Sequence, residues 1–310
     1  MALSNMLSII IVNYNGVKFL TECLNSIEEH VSRPHEVIVV DNASTDGSVE
    51  LIKENFQRVR LIRSGENRGF SGGNNIGARR ASGELMLLLN NDTRLLTPLD
   101  AAIEEFGRDE RLGALGCRMY YGDGRKQPSI GFEATPLRLV LSWLGLGRFA
   151  FLPDIFRRVE MDEKQYARRQ DNVAWVSGAF LMTRKSVWDR LGGLDERYFM
   201  YMEDVDYCKR VRMEGFRVAY IPEVEMVHYV GSAKEWIGEK ALLNTMNSYI
   251  EYTKQFQRRW LLFLRFFLSA VMLLRVIAYS VQSFFSASGV VRDKARAFMR
   301  ASFRLLSAKE

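Results

Sequence analysis

Cysteine is scarce in this sequence: Cys23, Cys117 and Cys208 are the whole complement of 310 residues. They are too far apart for a CxxC pair or a metal-type cluster. A disulfide scaffold is excluded, and small buried thiols in a reducing cytoplasm are the expectation. Proline is equally sparse, with six residues, and no Pro/Gly/Ser-rich linker, low-complexity tract or repeat marks a hinge between independent domains. Near the start, residues 7–12 form the first apolar run. It follows no basic stretch and breaks at Asn13-Tyr14-Asn15, too short for a signal peptide. No GxGxxG follows that run, which counts against a nicotinamide-binding dehydrogenase.

What is present is a globular mix, 47% hydrophobic and 26% charged. At this length it suits one substantial α/β domain with an appendage. The net charge of +6 is unevenly placed. From Lys254 onward eleven basic residues face only Asp293 and Glu310, so the tail carries +9 and residues 1–253 carry −3. Such a tail favours an anionic partner, either lipid headgroups or nucleic acid.

Residues 7–12, 36–40, 59–62 and 85–89 are short, continuous and rich in Val, Ile and Leu, as strands buried on both faces are. Helical spacing at 17–30 and 49–56, and a helix from about Asn74, separate them. That alternation predicts a parallel, doubly wound sheet. Ligands bind beyond the carboxyl ends of such strands, which brings Asn13, Asp41 and Asn90-Asn91-Asp92 to one crevice. Further strands are expected at 114–120, 173–183 and 217–221, and helices at 186–191, 205–214 and from 239 on. Residues 122–172 are loop-rich, with an apolar stretch at 137–152.

Several residues could carry chemistry. Asp92, at the tip of a buried strand, could hold a hard cation whose other ligands come from a diphosphate; it could equally cap a helix. Asp41 is placed to accept from the imide N–H of a pyrimidine, whereas Asp46 suits a helix cap. Residues 67–75 are Gly-rich, and glycines let backbone amides approach a phosphate or sugar. Glu203, Asp204 and Asp206 lie among aromatics and methionines. Desolvation and mutual repulsion would raise their pKa values and make one a useful base; acids in a first helical turn are the plainer account. His228 could be a cation ligand, a phosphate donor or a structural residue.

Taken in order, these segments resemble a family 2 glycosyltransferase of the rhamnosyltransferase type, over roughly residues 7–235. Ile11-Val12-Asn13-Tyr14-Asn15 resembles the family's opening strand. Val39 to Gly47 resembles its nucleobase segment, and Asn67 to Gly77 its donor loop. Leu89-Asn90-Asn91-Asp92 resembles its DxD element, with Asn90 in place of the first Asp. Gly192 to Glu196 and Met202-Glu203-Asp204 resemble its acceptor and base segments. The resemblance implies a GT-A fold, a Rossmann-like mixed α/β sheet, over residues 1–238, with a helical appendage at 239–310. It implies inversion by direct displacement, with Asp204 as base and Glu203 in support. The nucleotide sugar would meet Val12, Asn13, Tyr14, Asp41, Asn67, Gly72, Asn90 and Asn91. Mg²⁺ or Mn²⁺ would sit on Asp92 and His228, and the acceptor would meet Trp175, Gly178 and Asp195. The implied reaction moves L-rhamnose from dTDP-rhamnose to a lipid-linked saccharide of the cell envelope. The alternatives are a UDP-galactofuranose or UDP-N-acetylglucosamine donor, or a silent nucleotide-sugar- or lipid-binding subunit.

Residues 260–281 are apolar and about long enough to span a bilayer. Arg265 and Arg275 interrupt them, projecting within about 80° of each other on a helix. Each would cost roughly 2.5–3.5 kcal/mol at mid-membrane, while a basic residue at an anionic surface gains about 1 kcal/mol. The expectation is a helix lying in the interface with its arginine side toward headgroups, peripheral on the cytoplasmic face of a bacterial plasma membrane. The other reading packs the tail on the catalytic domain or on a second copy in a homodimer. The leucine and aromatic interleaving speaks for lipid and against nucleic acid.

Overall fold

The computed structural model describes residues 6–146, 159–161, 163–229, 238–285 and 289–307. The chain forms two compact units: Met1–Phe132, Glu160–Phe199 and Glu203–Ala233 make the first, and Glu133–Val159, Met200–Met202 and Lys234–Glu310 the second. The end of the apolar stretch, 147–152, and residues 230–232 lie outside the described residues.

The first unit begins β1 (Leu7–Asn13), α1 (Val17–His30), β2 (His35–Asp41), α2 (Ser48–Asn55), β3 (Arg60–Arg63), α3 (Gly69–Ala78) and β4 (Leu85–Asn90). It continues β5 (Thr93–Leu95), α4 (Asp100–Arg108), β6 (Leu112–Tyr121), β7 (Lys126–Gln127) and β8 (Ile130–Gly131). After α5 (Pro136–Trp143), which belongs to the second unit, come β9 (Trp175–Val176), β10 (Phe180–Arg184), α6 (Lys185–Leu191), α7 (Glu203–Met213) and β11 (Arg217–His228). Nine strands form one sheet in the order β3-β2-β1-β4-β10-β6-β11-β5, with β7 paired to β6. The pairings β3–β2, β2–β1 and β1–β4 are parallel, as the strand–helix alternation predicts. Beyond β4 the sheet turns mixed, because β10 runs antiparallel between β4 and β6.

Ile9, Ile10 and Ile11 are all buried, since both faces of β1 are covered and no polar alternation is needed. At the edge, β3 carries exposed Arg60 and Arg63, charges that discourage further strand pairing. α1 buries Leu20, Cys23, Leu24 and Ile27 on one face. All three cysteines are buried free thiols.

Four stretches depart from the sequence expectation. α3 begins at Gly69 and not near Asn74. Gly73 and Gly77 serve packing inside that helix: a Cβ there would stand 2.6 Å from Val12 Cγ1 and 2.4 Å from Ile10 Cγ2, so only glycine lets α3 lie this close to β1. The strand expected over 173–183 is two strands, broken by a turn in which Phe180 N donates to Ser177 O. The last strand does not stop at Ile221. It shifts register between Ile221 and Glu225 and runs on to His228. Finally, α4 and β5 occupy a stretch where the sequence suggested no element.

The second unit packs α5 with α8 (Gly238–Phe256), α9 (Leu261–Phe285) and α10 (Gly289–Ser307). Its arginines overturn the expected orientation of the tail. Arg265 is only 9% exposed, and its guanidinium donates to Leu305 O (2.6 Å) and Leu306 O (2.5 Å). These carbonyls belong to the last turn of α10, where a cation satisfies unpaired acceptors and the helix dipole together. Ser269 meets Ser302 one turn further along, Oγ to Oγ at 2.6 Å. Arg275 donates to Trp143 O (2.7 Å) and lies 5.3 Å from the Trp143 ring and 5.6 Å from that of Phe298. The polar side of α9 therefore faces its own unit. The exposed side is apolar, with Leu262, Phe266, Leu273, Ile277, Val281 and Phe284 within about 100° of arc.

Candidate active site

Parallel register sets Asn13 beside Asp41 and Val12 beside Asn90, so three strands end together. Their tips are tied by side chains. Asn91 Nδ2 donates to Asn13 Oδ1 (2.7 Å), and Asn13 Nδ2 donates to Ser44 Oγ (3.0 Å). Ser44 N in turn donates to the Asp41 carboxylate, 3.3 Å from each oxygen. Gly16 makes room for this chain of bonds: a Cβ there would lie 1.9 Å from Asn91 Nδ2 and 2.6 Å from Asn13 Oδ1. Tyr14 stands 51% exposed beside Asn13, a ring face open to an aromatic ligand. Asp46 accepts from Val17 N (2.8 Å) and Ser48 N (3.1 Å), so one carboxylate holds the starts of α1 and α2. Burial works against its charge, yet the bonds from Ser48 and Val17 bring its pKa below the ordinary value.

The Gly-rich segment sits beside these tips. Asn42 is buried and donates to Gly69 O (2.8 Å) and to Asn67 Oδ1 (3.3 Å), while Asn67 Oδ1 also accepts from Gly69 N (2.9 Å). Gly72 faces Arg68 Cβ and Glu196 Oε2. Asn75 joins the segment to the Gly193–Glu196 loop, donating to Leu194 O (2.8 Å) and Glu196 Oε1 (3.0 Å).

Asp92 and Thr93 lead into β5, so the alternative of a helix cap at Asp92 is excluded. β11 brings His228 to it. His228 Nε2 lies 3.3 Å from Asp92 Oδ1, and Asn90 Nδ2 lies 3.1 Å from the same nitrogen. A cation with bonds of 2.0–2.1 Å holds adjacent ligands about 3.0 Å apart. The pair therefore fits two neighbouring positions of one ion. Among the described residues no group of three or more His, Cys, Asp or Glu could hold a metal, so diphosphate oxygens and water would have to complete the shell.

Glu203 and Asp204 open α7. Glu203 is 6% exposed, and its Oε2 is buried without a partner. Asp204 stays partly accessible and accepts from Gly178 N and Val205 N, both at 2.8 Å. Burial holds both carboxyls above the ordinary range, and the charge of Asp204 raises Glu203 further. The turn between β9 and β10 connects this pair to the strand tips, because Ala179 O accepts from Asn90 N (3.1 Å) while Gly178 N holds Asp204.

Other expected site residues have local partners. Trp175 is buried and donates to Phe132 O (3.1 Å). Asp195 pairs with Arg197 (2.5 Å); burial opposes its charge, but Arg197 lowers its pKa overall. Asp206 pairs with Arg210 (2.6 Å), which also donates to Leu191 O and Gly193 O at 3.0 Å. Sequence reasoning missed Gln127, whose Nε2 lies 3.0 Å from His228 Nδ1. It also missed Ser44 as the link between Asn13 and Asp41. Ser44 could have been found as the Ser of a Ser-Thr-Asp-Gly turn; Gln127 had no local signal.

The model of Glycosyl transferase family 2 matches residues 8–192. The chain belongs to glycosyltransferase family 2. It is 29% identical over 243 residues to the N-acetylglucosaminyl-diphospho-decaprenol L-rhamnosyltransferase of Mycobacterium tuberculosis (strain CDC 1551 / Oshkosh), covering 73% of this chain and 77% of that protein. It is 26% identical to Rhamnosyltransferase WbbL of Escherichia coli (strain K12), covering 72% and 83%. This family 2 transferase is thus rhamnosyltransferase-like. The mannosyltransferase PcManGT of Pyrobaculum calidifontis, solved with GDP-Man and Mn²⁺, superposes with a TM-score of 0.58 at 18% identity, covering 98% of this chain and 88% of that one. The fold is GT-A with C-terminal helices.

Proposed function

We propose that this glycosyltransferase moves L-rhamnose from dTDP-rhamnose to a hydroxyl of a lipid-linked saccharide, with inversion, in cell-envelope polysaccharide synthesis. The observation that carries the reading is the joining of Asn13, Asp41 and Asn91 into one bonded crevice, with the Asp92–His228 pair on one side and Asp204 across the 177–179 turn. Asp41 and Tyr14 would take the base, and Asn13, Asn67, Gly72, Asn90 and Asn91 the ribose, diphosphate and sugar. Val12 packs beneath Gly73 and supports that floor. A divalent cation, Mg²⁺ or Mn²⁺, held by Asp92 and His228 would neutralise charge growing on the departing diphosphate. Asp204 takes the acceptor's proton as its oxygen attacks the anomeric carbon. It is the accessible member of the pair, with its pKa raised above the ordinary carboxylate value by burial. Trp175, Gly178 and Asp195 would border the acceptor, and Glu203 supports Asp204.

A lipid-linked acceptor calls for a membrane-bound enzyme, peripheral on the cytoplasmic face. α9 is long and apolar enough to cross a bilayer. Crossing would drag exposed Arg292, Arg296, Arg300 and Arg304 of the attached α10 inward, at roughly 2.5–3.5 kcal/mol each near mid-membrane. The outer face of α9 dipping into the interface, with α10 above it, costs none of this. Flotation with anionic vesicles checks that arrangement; binding unchanged in Phe266→Asp would refute it.

Calorimetry with dTDP and UDP, each with and without Mn²⁺, tests the reaction assignment. Cation-dependent preference for dTDP is expected. A UDP preference would move the donor to UDP-galactofuranose or UDP-N-acetylglucosamine. Binding of neither would sink the donor-site reading.

A further inference from the structure

The surroundings of His228 cannot all be satisfied as they stand. Two amide nitrogens face its ring, Asn90 Nδ2 at 3.1 Å from Nε2 and Gln127 Nε2 at 3.0 Å from Nδ1. A neutral imidazole accepts at one nitrogen only, and an imidazolium at neither. One amide must turn its oxygen to the ring. Asn90 turns when the proton sits on Nε2, where the Asp92 carboxylate also accepts it, and Gln127 turns when the proton sits on Nδ1; only the second arrangement gives a donor to Gln127 Oε1, which is buried without a partner. An orphaned buried acceptor costs about 1–3 kcal/mol.

Gln127 reaches this position through register. β6 pairs Met119 with Gln127 on one side and with Met226 of β11 on the other. His228 lies two residues beyond Met226, on the same face of the sheet. Two arrangements of the imidazole are then consistent. In one, Nε2–H donates to Asp92 and Nδ1 accepts from the Gln127 NH₂ group. In the other, Nδ1–H donates to Gln127 Oε1, and Nε2 keeps its lone pair beside the Asp92 carboxylate. Only the second offers two ligand atoms to a cation. Metal-bound histidines nearly always donate their other N–H to such an oxygen.

We propose that Gln127 is the positioning residue of this site: by turning its amide it exchanges the His228 tautomer bonded to Asp92 for the one that offers Nε2 to a divalent cation. The inference rests on Asp92 and His228 being the cation site proposed above. The proton balance closes, since Nε2 gives up one proton and Nδ1 takes one, with none released to solvent.

Nitrogen-15 NMR of imidazole-labelled protein tests it, with Mg²⁺ and dTDP as the probe, alongside calorimetry in buffers of different ionisation heat. Wild type should pass from Nε2–H to Nδ1–H on binding, with no net proton release. Gln127→Leu should lose 10–100-fold in Mg²⁺ affinity. Gln127→Glu, which can only accept, should restore affinity and show Nδ1–H before Mg²⁺ is added. Equal Mg²⁺ affinity in wild type and Gln127→Leu overturns the proposal, as does an equal loss in both variants or an unchanged tautomer in wild type. If wild type itself binds no Mg²⁺ with dTDP, the cation-site reading has failed, and this inference with it.

Discussion

At the tips of β1 and β2 polar groups meet partners in a chain: Asn91 to Asn13, Asn13 to Ser44, Ser44 to Asp41. At the start of α7, fewer than ten residues from the Gly193–Glu196 loop, Glu203 Oε2 is buried with no partner and lies next to a second carboxylate. The first region is fixed by its own hydrogen bonds, as the proposed donor site requires. The second keeps electrostatic stress, and a carboxyl denied water takes up a proton more readily, which suits the base proposed there. On the proposed reading, donor binding and proton transfer draw on opposite conditions, one at the strand tips and the other at the start of α7.

The contrast is sharpest when the stressed side loses its charge. Asp204→Asn should lower kcat by ~10²–10⁴-fold, the range of a single general base. The fold should hold, since the Asn oxygen still accepts from Gly178 N; circular dichroism and donor calorimetry would show wild-type behaviour. Silence in Glu203→Gln with activity retained in Asp204→Asn would mean that the wrong carboxylate has been assigned. A smaller effect is expected on the other side. Gly16→Ala forces a methyl against Asn91 Nδ2 and Asn13 Oδ1. Losing that one hydrogen bond costs about 1 kcal/mol, so steady-state kinetics should show a roughly fivefold rise in donor KM with kcat little changed. A fall in kcat without a change in KM would show that the strand tips serve the chemistry instead.

Legibility in the sequence divides along similar lines. β1, β2 and β4 are readable because a strand covered on both faces needs an unbroken apolar run, and their tips follow from where the runs end. Glycine defeated the same approach at residues 69–77. It signals an open phosphate loop or a close helix contact, and only the position of Val12 and Ile10 beneath α3 decides between them. Gln127 was illegible because its neighbour His228 is brought by the register of a strand four further along the sequence. In the tail, the angle between Arg265 and Arg275 was readable, but the face they present was not. The carbonyls of Leu305 and Leu306 that turn Arg265 inward lie some forty residues further on, and the Trp143 carbonyl that holds Arg275 lies far upstream.

Glu203 supplies the smallest expected effect on rate and the most direct measure of the stress. Burial, then the charge of Asp204, holds its folded pKa well above the ordinary value. The folded protein therefore grips that proton more tightly than the unfolded chain does. The stability this brings is full below the unfolded carboxyl pKa of about 4.3 and is lost as pH rises through the folded value. Glu203→Gln carries no such charge. Its Tm should exceed that of wild type at pH 8, and the gap should close as pH falls toward 4.5. Thermal scans across that interval check the sign. A gap that does not vary with pH would mean that Glu203 is not charged against its surroundings, and the contrast between the satisfied strand tips and the stressed carboxylate pair would rest on Asp204 alone.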